Sequence, residues 1–160
     1  MKLDKILIPL DGSMLAEAAL APACDLAARD GATISLLRAA EAAPRLGADT
    51  VEAQVTAVRE AEEYLASVVR RLKEKGVTRV ETHVWYGAAA SSIVEAASMQ
   101  QASLIVMSTH GRSGVGRLVL GSVAESVLRG TTTPILIVRA DGAPLDRPRG
   151  AARAARPSHV

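Results

Sequence analysis

The sequence predicts an α/β fold, a three-layer sandwich in which helices cover both faces of a five-stranded parallel sheet. Five short apolar runs alternate with helical patterns, which gives the order βαβαβαβαβ that is typical of a parallel sheet. Hydrophobic residues make up 49% of the 160 residues, enough to build a substantial core. Aromatic residues are only 2% and phenylalanine is absent, so that core must consist mainly of Ala, Val, Leu and Ile.

The first strands are short and apolar. Lys5–Leu10 predicts a buried first strand, and Ser13 is placed to cap the helix that follows it. We expect that helix to be kinked at Pro22 and to end at Gly31, because proline disrupts a helix interior and glycine adopts the left-handed conformation of a helix end. Ala32–Leu37 predicts the second strand.

The middle of the chain predicts a long helix and an edge strand. Apolar residues recur at helical spacing through Val51–Lys75. Val80–Trp85 then alternates between a Val/Thr face and a Glu/His/Trp face, which is typical of a half-exposed strand at the edge of a sheet. A third helix is predicted to open at Gly87 and Ser92, because Ser92 with Glu95 three residues later matches a capping signal.

The remaining elements complete the sheet. Ser103–Met107 predicts the fourth strand, Ser122–Arg129 a helix and Pro134–Val138 the fifth strand. With right-handed crossovers and the third strand at an edge, the strand order 3-2-1-4-5 fits best. We expect residues 1–139 to form one domain, and residues 140–160, which are basic and lack periodicity, to be a disordered tail.

A glycine-rich stretch joins the fourth strand to the next helix. Ser108–Ser122 reads STHGRSGVGRLVLGS. Backbone N–H groups in such a loop bind anions, and the start of a helix adds partial positive charge. Ser122 with Glu125 matches a capping box, and Arg112 and Arg117 add formal charge. The pattern favours a phosphate site, and the alternative is a glycine-rich connection without a ligand.

Two familiar phosphate motifs are excluded. Gly111 and Gly116 have the spacing of a Walker A loop, but Lys and Ser/Thr do not follow the second glycine. A dinucleotide fingerprint that began at Gly114 would need glycine at the position of Val119. Any phosphate here is therefore held by a different loop.

The predicted topology brings this stretch opposite an acidic residue. The chain reverses direction between strands 1 and 4, and open α/β sheets bind ligands at that point, beyond the carboxyl ends of the strands. Asp11 follows strand 1 and the glycine-rich stretch follows strand 4. A carboxylate that accepts from hydroxyl or amine groups, opposite an anion cradle, suits a nucleotide.

At these residues the chain resembles the universal stress protein family, over about residues 3–139. The resemblance rests on KILIPLDGS, MSTHGRSGVGRLVLGSVAESVL and TPILIV. The nucleotide-binding branch of that family carries G-x2-G-x9-G-[ST], which Gly111, Gly121 and Ser122 match here, while Ser108 replaces the first glycine. The resemblance implies a flavodoxin- or Rossmann-like layout of the adenine nucleotide alpha hydrolase-like kind, ATP as ligand, with Mg, and a homodimer.

The resemblance also implies roles for individual residues. Those after the first strand would line the adenosine site, Ala39 would meet the adenine edge through its backbone, and the motif residues would lie near the ribose and phosphates. The candidate nucleotide-binding residues are Pro9, Leu10, Asp11, Ala39, Met107, Ser108, His110, Gly111, Arg112, Gly114, Gly121, Ser122 and Val123. No catalytic and no metal-ligating residue is assigned.

The function expected from these observations is that of an ATP-binding sensor or regulator in stress response. One alternative is a dimeric scaffold that acts through an unknown protein partner, which the replacement at Ser108 favours. Another is an ATPase, for which His110 and Asp11 are the candidates to orient water. A loop histidine more often caps or packs, and no Walker-type lysine is present, so any hydrolysis should be slow.

Partners and location follow from charge and hydropathy. Pro134–Val138 is apolar at nearly every position yet lies at a sheet edge, which predicts a homodimer through this strand. The sequence contains no run of 18 apolar residues that could span a membrane, and its start does not resemble a secretory signal. We therefore expect a cytoplasmic protein. Residues 139–160 hold five arginines and two aspartates, or +3, which leaves −1 of the total +2 for the remaining chain and argues against nucleic-acid binding by the fold.

Overall fold

A computed structural model describes residues 2–41, 50–109 and 121–139 of the chain. Its strands and helices alternate in the predicted order, except that the first helical segment is divided in two. The elements are β1 (Lys5–Pro9), α1 (Met14–Glu17), α2 (Leu20–Asp30), β2 (Thr33–Ala40), α3 (Thr50–Glu74), β3 (Val80–Tyr86), α4 (Ala89–Met99), β4 (Leu104–Ser108), α5 (Ser122–Gly130) and β5 (Ile135–Val138).

The five strands form one parallel sheet in the order β3-β2-β1-β4-β5, which confirms the predicted topology. In the centre of the sheet, Ile6 of β1 lies opposite Ile34 of β2 on one side and Leu104 of β4 on the other. The chain reverses direction between β1 and β4. The carboxyl ends of these two strands therefore lie side by side, and the helices that follow them, α1 and α5, pack on opposite faces of the sheet.

Apolar residues cover both faces of the sheet, which explains why the central strands are continuous apolar runs. One face packs on α1, α2 and α3, and its largest fully buried side chains are Ile6, Ile8, Ile34, Leu36, Leu65, Val68 and Val106. The other face packs on α4 and α5, and its buried side chains include Leu7, Leu37, Ile93, Ile105, Met107 and Val127. Strands β1 and β4 are therefore packed between two layers of helices.

The first helical segment is broken rather than kinked. Helix α1 ends at Glu17, and α2 begins at Leu20, so the break lies four residues before Pro22. A proline ring clashes with the carbonyl group four residues earlier, here that of Ala18, and proline has no N–H group to donate. The predicted ends of the segment are confirmed: Ser13 Oγ accepts from the Ala16 N–H group at 3.1 Å, and Gly31 is left-handed with φ 69°.

The predicted start of the third helix is wrong. Helix α4 begins at Ala89 after an N-cap at Ala88, and Ser92 is a buried residue of its first turns, 4% exposed. The chain turns sharply at Gly87, where φ is 137°, a value that residues with a Cβ rarely adopt. The turn sets the helix start three residues before the serine, and the Ser-x-x-Glu pattern at Ser92 lies inside the helix.

The two outer strands differ in how they are covered. Strand β3 is at one edge, as predicted, with Val80 and Val84 packed on the α2–α3 side and Trp85 on the α4 side. Strand β5 is at the other edge, and its Leu136 side chain is 36% exposed. Among the described residues no helix is long and apolar enough to cross a membrane. The predicted tail at residues 140–160 lies outside the described ranges.

Candidate functional site

A cavity of about 260 Å³ opens at the carboxyl ends of β1, β2 and β4, beside the amino end of α5. This is the edge of the sheet at which open α/β folds bind their ligands. The described residues that line it are Pro9, Leu10, Asp11, Ala16, Leu37, Ala39, Ala89, Ile93, Met107, Ser108, Thr109, Gly121, Ser122, Val123 and Ala124.

The cavity brings together every candidate residue that falls within the described ranges. These are Pro9, Leu10, Asp11, Ala39, Met107, Ser108, Gly121, Ser122 and Val123. The other four candidates, His110, Gly111, Arg112 and Gly114, lie outside the described residues. Segments more than 100 residues apart in sequence thus meet at one place, and their contact with a ligand stays a prediction.

Several lining residues were not foreseen. Leu37 lies two residues before Ala39 on the same face of β2, so the period of a strand could have found it. Thr109 directly follows the last residue of β4. Ala16 and Ile93 belong to α1 and α4, and only the tertiary packing of those helices turns them toward the strand ends.

The turn after β1 fixes the position of its carboxylate. Asp11 Oδ1 accepts a hydrogen bond from the backbone N–H group of Ser13 at 2.8 Å. Between them Gly12 has φ 86°, a conformation suited to glycine. Of the lining residues that the structure describes, Asp11 alone carries an ionisable side chain. The local negative charge of the cavity wall is therefore concentrated at this one turn.

The amino end of α5 supplies backbone donors on the opposite side. Gly121 is the N-cap, so the predicted capping box with Ser122 as its cap is wrong: Ser122 is the first helical residue. A glycine cap has no side-chain oxygen, and in the described part of the chain no side chain caps this end. The N–H groups of the first turn have no intrahelical acceptor, and they carry the positive end of the helix dipole.

Gly121 is at the cap because of a close approach rather than an unusual φ. Its N–H group donates to the carbonyl oxygen of Thr109 at 2.9 Å, and a Cβ built on it would lie 2.8 Å from that same oxygen. Real Cβ contacts are essentially never so short. Glycine at this position lets the start of α5 lie directly against the end of β4.

The rest of the cavity is apolar with a few hydroxyl groups. Leu10, Ile93 and Met107 are buried and provide apolar walls, while Ser108, Thr109 and Ser122 provide hydroxyl groups. Ser108, which replaces the first motif glycine, is 8% exposed and pairs with Val138 in the β4–β5 register. No group of three or more His, Cys, Asp or Glu side chains is arranged around a metal position within residues 2–41, 50–109 and 121–139.

The fold and the site together define an α/β protein of Rossmann-like layout with a cavity at the topological switch point. The model of the universal stress protein family matches residues 2–139 of this chain. The chain belongs to the universal stress protein family. The family expected from the motifs of the sequence is therefore confirmed.

Individual relatives agree with this assignment. A universal stress protein of Methanocaldococcus jannaschii is 34% identical over 139 residues, which is 84% of this chain and 81% of that protein. The structure of the universal stress protein UspA from Lactobacillus plantarum is similar to this fold, with a TM-score of 0.75 and 23% identity over 87% of this chain and 99% of that one. A universal stress protein solved in complex with cAMP has a TM-score of 0.64 and 26% identity, covering 86% of this chain and 98% of that chain.

Proposed function

We propose that the protein binds ATP or a related adenine nucleotide in the cavity at the ends of β1 and β4, and acts as a nucleotide-dependent regulator in stress response. One observation carries the proposal: residues near the ends of β1, β2, β4 and at the start of α5, which the family resemblance relates to a nucleotide, line a single cavity. A universal stress protein 26% identical to this chain, solved in complex with cAMP, supports the same ligand class.

The half of the cavity beside β1 and β2 suits the nucleoside. Leu10 and Met107, both buried, offer apolar surface to a planar base. The backbone of Ala39, at the end of β2, would meet the polar edge of adenine. The Asp11 carboxylate, held by its bond to Ser13, would accept from the ribose hydroxyl groups.

The half of the cavity beside α5 suits the phosphates. The N–H groups of Ser122, Val123 and Ala124 open the helix without intrahelical acceptors, and such an end attracts phosphate. The hydroxyl group of Ser122 is not used as a cap, so it remains suited to donate to a phosphate oxygen. Mg²⁺ keeps several waters and binds largely through substrate phosphates, so a cavity with one carboxylate among its described lining residues suits an ion that arrives with ATP.

We also propose that two copies of the chain pair through β5. This strand is an edge of the sheet, and Leu136 is 36% exposed there although every residue of the strand is apolar. An apolar edge invites pairing with another chain.

Isothermal titration of the purified protein with Mg-ATP, Mg-ADP, AMP and cAMP tests the nucleotide proposal. We expect saturable binding, and we expect Ser122→Ala to weaken binding of Mg-ATP by about tenfold, since a hydrogen bond to a charged group contributes about 1.5–3 kcal/mol. Ser98→Ala is the matched control, because Ser98 is an exposed serine of α4 that does not line the cavity.

Mass spectrometry of the freshly purified and then denatured protein gives an independent answer. Co-purified ATP would support the proposal directly, and ADP or AMP would indicate that bound nucleotide is hydrolysed. An empty site together with no heat of binding at millimolar Mg-ATP would overturn the proposal. The dimeric scaffold that acts through a protein partner, which the replacement at Ser108 favours, would then be the better interpretation.

A further inference from the structure

Helix α1 forms one wall of the proposed nucleotide cavity. Its residue Ala16 lines the cavity and is 7% exposed, while the adjacent Glu17 contacts α3. The helix follows directly from the turn in which Asp11 accepts from Ser13. The position of α1 therefore affects the part of the cavity wall at Ala16 and the turn that carries the Asp11 carboxylate.

Glu17 is held on α3 by three hydrogen bonds. The Tyr64 hydroxyl donates to Oε1 at 2.9 Å, and the Arg71 guanidinium donates one N–H group to each carboxylate oxygen, both at 2.9 Å. This fork between arginine and carboxylate is among the strong forms of side-chain pairing. The Glu17 side chain is 13% exposed, against 49% for Arg71, so the carboxylate is sheltered from water.

Packing alone gives α1 little support on this side. A second cavity of about 630 Å³ lies between α1, α2 and α3, and both Glu17 and Arg71 border it. Helix α1 has only four residues, and the break at Ala18–Ala19 separates it from α2. Ala16 packs in the core on the opposite side. Since no continuous helix carries α1, the bonds of Glu17 hold the side that faces α3.

Tyr64 is connected to the turn after β1 through Arg38. The Arg38 guanidinium lies over the Tyr64 ring, 4.8 Å from its centroid. Its Nη1 atom is 3.4 Å from the position that a Cβ would take on Gly12. Tyr64 thus stands between two contacts, one with Glu17 at the end of α1 and one with the arginine that packs on the Asp11–Ser13 turn.

We propose that Glu17 is a positioning residue of the nucleotide site, which acts through Tyr64 and Arg71 to fix α1 and the Asp11 turn. Glu17 does not line the nucleotide cavity, so its effect on binding passes through Ala16 and Asp11. The inference rests on the proposed function, because it assigns how the wall of that same cavity is held.

Titration calorimetry with Mg-ATP, well below the unfolding temperature of each variant, tests the proposal. We expect Kd to rise about fivefold in Glu17→Gln and about twofold in Tyr64→Phe, the range of effects that residues without ligand contact produce. Glu63→Gln is the control. Glu63 belongs to α3, as Tyr64 does, and pairs with Arg59 at 3.9 Å, but this pair is exposed and borders neither cavity. Its Kd should equal that of the wild type.

A spectroscopic readout separates positioning from a general loss of stability. The ring resonances of Tyr64 should shift when Mg-ATP is added to the wild type, although Tyr64 does not line the nucleotide cavity. In Glu17→Gln this shift should shrink at saturating nucleotide. Tyr64→Phe keeps the affinity test valid even if Glu17→Gln does not fold.

The outcomes distinguish the two proposals. A wild type that binds Mg-ATP, with Kd unchanged in both Glu17→Gln and Tyr64→Phe, would overturn the positioning role and leave the proposed function standing. A Tyr64 resonance that does not respond to saturating Mg-ATP would do the same. A wild type that takes up no nucleotide would overturn the proposed function and this inference with it.

Discussion

The amide of Gly121 donates to the carbonyl oxygen of Thr109 at 2.9 Å, and a Cβ on Gly121 would lie 2.8 Å from that oxygen. This contact joins the end of β4 to the start of α5, the two elements between which the sequence motif runs. Glycine at the third glycine position of the motif is thus required by the lack of space for a side chain. Its place in the motif has a steric cause that holds whether or not a ligand is bound.

Gly121→Ala should therefore weaken nucleotide binding. The new methyl group must push the start of α5 away from Thr109, which displaces the amides of Ser122 and Val123. We expect Kd for Mg-ATP to rise by about tenfold or more, because a hydrogen bond to a charged phosphate contributes about 1.5–3 kcal/mol. Calorimetry measures the change.

The control for this variant is Gly130→Ala, at the last residue of the same helix. A Cβ there would lie 3.2 Å from a methyl group of Val94, and neither Gly130 nor Val94 lines the cavity. Gly130→Ala should leave Kd unchanged. Equal Kd values for Gly121→Ala and wild type would show that the Thr109 contact does not position phosphate donors.

Restoring the first motif glycine should change affinity in the other direction. Ser108 is 8% exposed and lines the cavity, so Ser108→Gly gives a ligand closer access to the backbone at the end of β4. We expect tighter binding of Mg-ATP and a free energy of unfolding lower by about 1 kcal/mol, because glycine in a strand loses more conformational freedom on folding. Calorimetry and urea unfolding measure the two effects.

Ser108→Ala separates the hydroxyl group from the steric effect. Weaker binding in Ser108→Ala, combined with no gain in Ser108→Gly, would mean that the hydroxyl group contacts the ligand. The replacement would then be a functional substitution for glycine rather than a loss.

The single tryptophan should report binding. Trp85 lies directly opposite Ala39 in the β2–β3 register, and Ala39 lines the cavity. Directly opposite residues of neighbouring strands lie about 5 Å apart, so a base at Ala39 changes the surroundings of the indole ring. We expect Trp85 fluorescence to change saturably with added AMP and to give the same Kd as calorimetry.

Inorganic phosphate is the control ligand for the fluorescence titration. It can occupy only the α5 end of the cavity and should leave the Trp85 signal unchanged. A fluorescence change with phosphate alone, or none with AMP that calorimetry shows to bind, would contradict the placement of the base beside Ala39.

The strands of the sheet could be predicted well because the residue pattern within each strand reflects how that strand is buried. A strand buried on both faces must be apolar throughout, as Lys5–Pro9 and Leu104–Ser108 nearly are, and a half-covered strand such as β3 must alternate. The topology then places the residues that follow β1 and β4 together. For that reason all candidate residues in the described ranges line one cavity.

The support of the site could not be predicted in the same way. Glu17 bonds to residues 47 and 54 positions away, and no spacing within the sequence relates a glutamate of one helix to a tyrosine and an arginine of another. The predicted caps at Ser92 and Ser122 were wrong because a Ser-x-x-Glu pattern also fits positions within a helix, here the fourth residue of α4 and the first residue of α5. The positive φ of Gly87 and the close contact of Gly121 with Thr109, which the sequence does not reveal, set those helix starts.

The dimer proposal can be tested at the exposed leucine of the β5 edge. Leu136→Lys puts a charge on this edge, and charged residues there oppose pairing with another chain. We expect sedimentation to show a dimer for the wild type and a monomer for Leu136→Lys. Leu128→Lys is the control, since Leu128 is a 54% exposed leucine of α5 and should leave the dimer intact. A dimer in all three would exclude pairing through β5.

The pH dependence of stability should reveal the Glu17 bonds. Hydrogen bonds from the Arg71 guanidinium lower the pKa of Glu17 in the folded state, while burial opposes this and the Tyr64 hydroxyl adds to it. The unfolded chain therefore binds a proton at Glu17 at a higher pH than the folded protein does. The stabilisation is complete above the ordinary glutamate pKa of about 4.3, and it is lost as the pH falls through the lowered folded value.

Wild type and Glu17→Gln should therefore differ most in stability at neutral pH. We expect Glu17→Gln to lower the free energy of unfolding by about 1–2 kcal/mol at pH 7, since the bonds to the carboxylate are charge-assisted but Arg71 is partly exposed. The difference should shrink as the pH falls below about 4, because the wild-type carboxyl is then neutral too. Guanidinium unfolding at several pH values measures it, with Glu63→Gln as the exposed control. A difference that stays constant from neutral to acid pH would mean that the charge of Glu17 does not stabilise α1 against α3.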